Sequence, residues 1–268
     1  MTRCLMSFLL FFAGSISFLP VAKAPAAAPC PGAQDSGPQH DGPSCNPEFT
    51  YTPGPHGPEN WGGECNIGKV QSPIEISHAV AAPLPALDFS GYQPGGLNML
   101  NDCNHYQIKV TVAPGSTLKY GDHTYKLVQF HFHEPAEEKI AGQRRAAMVV
   151  HLVHQAEDGS LAVVAALVRP GRENALIKSL WEHIPPQGGK YENPEIEINA
   201  VALLPKDRNF YTFPGSLTTP GCNQGVTWFV LKEPIEFSPA QIAKYKTQYQ
   251  GTARPLQPVN GRRIEERK

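Results

Sequence analysis

The sequence predicts a mainly β, α+β fold in one domain, on three observations. Glycine (24) and proline (27) make up about a fifth of the 268 residues, which favours many turns and short strands over a helical bundle. Alternating or apolar runs bounded by turn residues recur along the chain, while helical periodicity is confined to two short stretches. With 41% hydrophobic and 18% charged residues the chain can close a sizeable core, and no internal repeat or second low-complexity break divides it.

From the N-terminus, residues 1–24 carry one positive charge (Arg3), the apolar run LMSFLLFFAGSISFL and small residues at Ala22 and Ala24, the layout of a secretory signal peptide. An uncleaved membrane anchor is the competing reading, because Pro25 is a poor residue after a cleavage site. Residues 25–47, rich in Pro, Gly and Ala and without periodicity, read as an arm, and 48–262 as the folded domain. Within it YQIKVTV (106–112), STLKY (116–120), YKLVQFHFH (125–133), AMVVHLVHQ (147–155), LAVVAALV (161–168), IEINAVALL (196–204) and VTWFVLKEPI (226–235) read as strands. ALIKSLWEHI (175–184) and PAQIAKYKTQY (239–249) read as helices, and 263–268 as a charged tail.

A net charge of -1 offers no basic excess to neutralise phosphates, so composition argues against nucleic-acid binding. Past the leader no later segment is apolar enough to span a bilayer. Removing Cys4 with the leader leaves cysteines 30, 45, 65, 103 and 222, an odd number for an oxidising compartment. None has CxxC-type spacing, so a metal would need other ligands.

Those ligands stand in QFHFHE. Two residues apart on a strand, His131 and His133 share one face with Gln129, and Phe130 and Phe132 take the other. An antiparallel return through PAEEKIAGQRR brings His151 opposite that pair. Three neutral imidazoles with no fourth protein ligand suit a catalytic Zn(2+), which keeps one position for water. Alone, the His-x-His pair reads equally well as a half-exposed polar face. By parity His154 faces away from His151 and reads as structural.

The blocks around these histidines decide between the two. HGPENWGGEC (56–65), QSPIEI (71–76), LVQFHFHEPAEE (127–138), HLVHQ (151–155), GSLTTPGC (215–222), VTWFVLKEPI (226–235) and ARPLQPVNGR (253–262) stand in order. Through almost the whole domain the chain resembles the α-class carbonic anhydrases of the secreted bacterial type. The resemblance implies a large, mostly antiparallel twisted sheet with the zinc site at the base of a conical cleft. It implies reversible hydration of carbon dioxide to bicarbonate and a proton, through zinc-bound hydroxide, with buffer as proton acceptor, and it leaves activated-ester hydrolysis open as a side activity. It leaves a homodimer open, and implies a periplasmic or secreted protein. All three histidines of the zinc set are present, which argues against a non-catalytic binding relative.

The same resemblance implies roles residue by residue. Thr218 accepts a hydrogen bond from the nucleophile and Glu137 accepts the Thr218 hydroxyl proton. Val153, Val163, Leu217 and Trp228 form the apolar wall that carbon dioxide needs, although each alone would read as core. Thr219 lines the same cleft, and Gln129 orients His131. Cys65 and Cys222 occupy the positions of a family disulfide. Cysteine arithmetic then allows a Cys30–Cys45 bridge in the arm, with Cys103 as the odd thiol.

Two departures stand out. Where the family carries a glutamate two residues before the third histidine, this chain has Val149, which cannot accept the ring proton of His151. In NDCNH (101–105) the slot of the family's proton-shuttle histidine aligns with Asn104. His105 is one residue late, turned away on a regular strand and restored to the cleft by a bulge.

Overall fold

This computed structural model describes residues 45–112 and 114–268. The expected signal peptide, Cys4, Cys30 and most of the expected arm lie outside the described residues. Among the described residues no helix is long and apolar enough to cross a membrane.

A 13-stranded sheet dominates. Its spatial order runs through strands Lys190–Ile198, Gly95–Asp102, Gln107–Thr111, His123–His133, Met148–Gln155, Leu161–Pro170, Gln224–Leu231 and Phe210–Ser216, ending on the short pairs Glu265–Glu266 and Val80–Ala81. Most neighbours are antiparallel; Leu161–Pro170 runs parallel to Gln224–Leu231.

The pleat sorts the side chains onto two cores. On Leu161–Pro170, a strand of β-branched and small residues, Val164, Ala166 and Val168 join the larger apolar cluster. Their neighbours Val163, Ala165 and Leu167 join the smaller cluster on the opposite face. The same alternation puts Phe130, Phe132, Val150 and Leu152 into the larger core. Their alternates His131, His133, Val149 and His151 therefore stand on the face of the smaller cluster. His154 falls on the large-core side, where its Nε2 lies 2.6 Å from the Tyr92 hydroxyl.

Two helices, Ala175–Glu182 and Pro239–Lys246, pack Ile177, Leu180, Trp181, Ile242 and Tyr245 into the large core. Each begins at a side-chain cap: Asn174 accepts from the Ile177 N–H at 3.1 Å, and Ser238 with Gln241 forms a capping box.

Three expectations need correction: VTWFVLKEPI is two strands, Gln224–Leu231 and Ile235–Phe237, parted before Pro234, which cannot donate to a ladder. IEINAVALL is not one strand: it ends as strand at Ile198, and Ala200–Leu203 turns into a 3-10 helix capped by Asn199, whose side chain accepts from Val201 N–H. Asparagine competes for the backbone there, a signal that outweighs apolar content. Residues 263–268 are not all tail, since Glu265–Glu266 pairs with Phe210–Ser216 and Val80–Ala81 at the sheet edge.

Candidate metal centre

His131 and His151 face each other directly across the pair of strands, and His133 is offset by one pleat, opposite Val149. One ring nitrogen from each lies within 4.8 Å of the others. His133 and His151 are at most 1% exposed and His131 9% exposed.

Which nitrogen is free follows from what holds the other. Gln129 Oε1 lies 2.9 Å from His131 Nδ1, and the Thr252 carbonyl oxygen 2.7 Å from His133 Nδ1. Glu138 brings both carboxylate oxygens to His151 Nε2, at 3.1 and 3.3 Å. A carbonyl or carboxylate oxygen can only accept here, so each fixes a proton on the nitrogen it meets and leaves a lone pair on the other. Nε2 of His131, Nε2 of His133 and Nδ1 of His151 remain. His133 Nε2 is buried with no hydrogen-bond partner at all, a cost that a bound cation would remove. Three such neutral nitrogens are a donor set that zinc accepts, so the residues fit the metal.

Burial holds His131 and His133 in the ligating state. It pushes the His131 imidazole well below its ordinary range, aided by the facing imidazoles of His133 and His151, and brings His133 down to about 3. For His151 burial acts the same way, but Glu138 and Glu137 outweigh it and the net direction is upward.

The acceptor expected to be missing at Val149 is therefore supplied from elsewhere. Val149 is fully buried in the smaller apolar cluster, and Glu138, from the loop after His133, makes the contact. The second glutamate of PAEE was the available signal. Thr252 left none, because it contributes a backbone carbonyl.

Glu137 lies beside the donor set, its Oε2 3.6 Å from His133 Nε2 and 3.9 Å from His151 Nδ1. Its Oε1 accepts from the Arg254 N–H at 2.8 Å. Burial drives its carboxyl up to about 7, against the influence of His151, the Thr218 hydroxyl and the Arg254 N–H. Thr218 and Glu137 are thus neighbours, although Glu137 Oε2 has no fully formed hydrogen bond.

A cavity of about 280 Å³ opens over His131 and His151 and is walled by Val153, Val163, Leu217, Trp228, Thr218 and Thr219. Val153, Val163 and Trp228 come from three adjacent strands at one register, so one row of the sheet builds the apolar wall. Trp228 is fixed by its Nε1–H donating to the Ser216 carbonyl at 3.1 Å, and its ring meets His151 edge-on at 5.0 Å. Gly215 permits this: a Cβ there would stand 2.7 Å from Trp228 Cδ1.

The threonine loop is tied at both ends. Cys222 N–H donates to the Thr219 carbonyl at 2.9 Å, and Cys222 is disulfide-bonded to Cys65. Arg254, 2% exposed, donates to the Gln71 side chain at 2.8 Å, the Ser72 carbonyl at 2.7 Å and the Cys65 carbonyl at 3.0 Å. It joins the disulfide to Glu137, a link its place in ARPLQPVNGR did not disclose.

The second disulfide corrects the sequence arithmetic: Cys45 pairs with Cys103, not with Cys30. Parity of cysteines carries no geometry, and Cys45 reaches the hairpin turn after strand Gly95–Asp102 instead of closing a loop within the arm. His105 lines both the metal cavity and a neighbouring concavity, whereas Asn104 lines only the second, with Asn46 and Trp61. The regular-strand expectation fails because residues 103–106 form the turn of a hairpin, in which strand parity does not apply.

A large, mostly antiparallel sheet carrying three buried histidines from two adjacent strands defines a metalloenzyme of carbonic anhydrase type. Residues 56–268 match the family model described as eukaryotic-type carbonic anhydrase, and the chain belongs to that family. It is 38% identical over 221 residues to a carbonic anhydrase of a Nostoc species, covering 78% of this chain and 83% of the relative. Among solved structures, a hyperthermostable carbonic anhydrase from a hydrothermal vent chimney superposes with a TM-score of 0.77 at 39% identity, covering 82% of this chain and 100% of that one. The Photobacterium profundum α-carbonic anhydrase gives 0.76 at 38% identity, with the same coverage.

Proposed function

We propose that the chain is a zinc carbonic anhydrase that interconverts carbon dioxide with bicarbonate and a proton. The observation that carries this is the buried convergence of three histidine nitrogens, His133 Nε2 having no other partner. Zinc, when bound, supplies a Lewis acid that makes water a nucleophile near neutral pH; the handful of protein groups around it decide where that nucleophile points.

Gln129, Thr252 and Glu138 hold the three rings with their lone pairs inward. Thr218 accepts a hydrogen bond from the attacking group, and Glu137, by accepting the Thr218 hydroxyl proton, fixes which way that threonine can act. A cation beside the buried Glu137 carboxyl favours its charged, accepting form. Val153, Val163, Leu217 and Trp228 exclude water from the place where apolar carbon dioxide sits. Thr219 serves the departing bicarbonate at the cavity edge.

We also propose export, with residues 1–24 as the leader and a periplasmic or secreted mature protein of the bacterial type. Two disulfides, Cys45–Cys103 and Cys65–Cys222, support an oxidising compartment.

Metal content measured with carbon dioxide hydration before and after chelation tests the function. One zinc per chain, with metal and activity lost together on chelation and restored together by zinc, is expected. Full activity in a metal-free preparation overturns it.

A further inference from the structure

The hairpin between strands Gly95–Asp102 and Gln107–Thr111 is held by contacts that zinc ligation does not require. Asp102, whose side chain is 9% exposed, brings Oδ2 to 2.9 Å from His105 Nδ1, and the same oxygen accepts from Lys109 Nζ at 2.8 Å. Partial burial opposes charge on Asp102, yet these two donors hold its carboxyl well below the usual range, so it accepts and does not donate. Its contact therefore places a proton on His105 Nδ1 and leaves Nε2 as the only lone pair of that ring. Free histidine has no such constraint.

The turn itself is clamped from the N-terminal side. Cys45 is bonded to Cys103, Asn46 N–H donates to Asn104 Oδ1 at 3.1 Å, and the Phe49 ring packs edge-on against His105 and Tyr106 at 6.2 and 5.8 Å. His105 lines the metal cavity while 47% of its side chain remains exposed, so one ring touches both the site and solvent.

We propose that Asp102 is a positioning residue for His105, which carries the released proton out of the cavity, and that the Cys45–Cys103 clamp keeps the pair in place. This rests on the hydration reading above. The step balances within one ring: Nε2 takes the proton through solvent, the imidazolium keeps its Nδ1–H on Asp102, and the Nε2 proton then passes to buffer. His105 stands at a different position from the slot held by Asn104, and the hairpin turn with its carboxylate partner makes that position usable.

The test uses the full zinc-loaded chain with both disulfides formed. Nitrogen-15 NMR of labelled histidine should show His105 as the Nδ1–H tautomer, and Asp102→Ala should move it to the Nε2–H form. In dilute buffer, His105→Ala and Asp102→Ala should each lower kcat about tenfold while kcat/KM for carbon dioxide stays within about twofold, because proton export follows the chemistry. Concentrated imidazole buffer should restore kcat. The double variant Cys45→Ser, Cys103→Ser should show the same split in weaker form.

An unchanged kcat for His105→Ala in dilute buffer overturns the proposal and leaves the hydration reading intact. Equal losses in kcat and kcat/KM for Asp102→Ala overturn it in favour of a purely structural carboxylate. If Asp102→Ala does not fold, the parent tautomer decides: an Nε2–H form overturns the proposal. A parent chain with bound zinc and no hydration activity removes the hydration reading itself, an outcome distinct from the other three.

Discussion

Glu138 shows how a single side chain can satisfy a requirement from an unexpected position. The acceptor of the His151 ring proton needs to be a carboxylate close to Nε2, and nothing in that need fixes which segment carries it. Here the strand position that faces His133, Val149, is apolar and fully buried, while the loop glutamate reaches across. Glu138→Gln removes the charge and should weaken zinc binding about 10- to 100-fold, read as faster zinc loss to a chelator. Val149→Glu should not help: it adds a third buried carboxylate to Glu137 and Glu138 on the face of the smaller apolar cluster, and should destabilise the fold by about 3 kcal/mol or more in denaturant unfolding. A stable Val149→Glu chain with slower zinc loss would mean that Glu138 is not the working acceptor.

At the scale of elements, what was legible in the sequence is what strand parity encodes. His131, His133 and their partner His151 sit face to face because a period of two and an antiparallel return leave no other placement. Parity also separated His154 from them and put Phe130 and Phe132 in the core. It failed where the backbone leaves the pleat. His105 is on a turn, Ala200–Leu203 is a 3-10 helix, and the Thr252 and Glu138 acceptors come from loops. The resemblance to known sequences supplied the loop residues Thr218 and Thr219, which no periodicity marks. It also placed Cys65 and Cys222 together, a pair 157 residues apart whose closeness depends on the whole sheet. Breaking that bridge with Cys65→Ser, Cys222→Ser should cost about 2–5 kcal/mol by releasing the unfolded chain. Because Arg254 holds Cys65 and Glu137 together, activity should fall at temperatures where the variant is still folded. Loss of stability with activity unchanged below the transition would show that the threonine loop keeps its place without the bridge.

For the whole molecule, the site's buried charges set how the metal-free chain responds to pH. His131 and His133 have lowered proton affinity when folded, His133 down to about 3, whereas the unfolded chain binds a proton at each near its ordinary value of about 6.5. Below that value the unfolded state takes up protons that the folded state refuses, so these two groups lose stability as pH falls. Glu137 works in the opposite direction. Burial raises it to about 7 from an ordinary 4.5, so across that interval the folded chain keeps a proton that the unfolded chain has given up. His151, raised on balance because Glu138 and Glu137 outweigh burial, contributes stability that is lost as pH rises, not as it falls. His154, which burial brings down to about 4, acts with His131 and His133, so three histidines oppose one carboxyl and the unfolded chain carries more protons between about 6.5 and 5. The Tm of chelator-treated protein should therefore fall on acidification through that window. Zinc-loaded protein should fall more steeply over the same window, since acid must also displace the metal from three neutral nitrogens. A metal-free Tm that rises as pH drops would mean that Glu137, not the histidines, dominates the buried charge of the site.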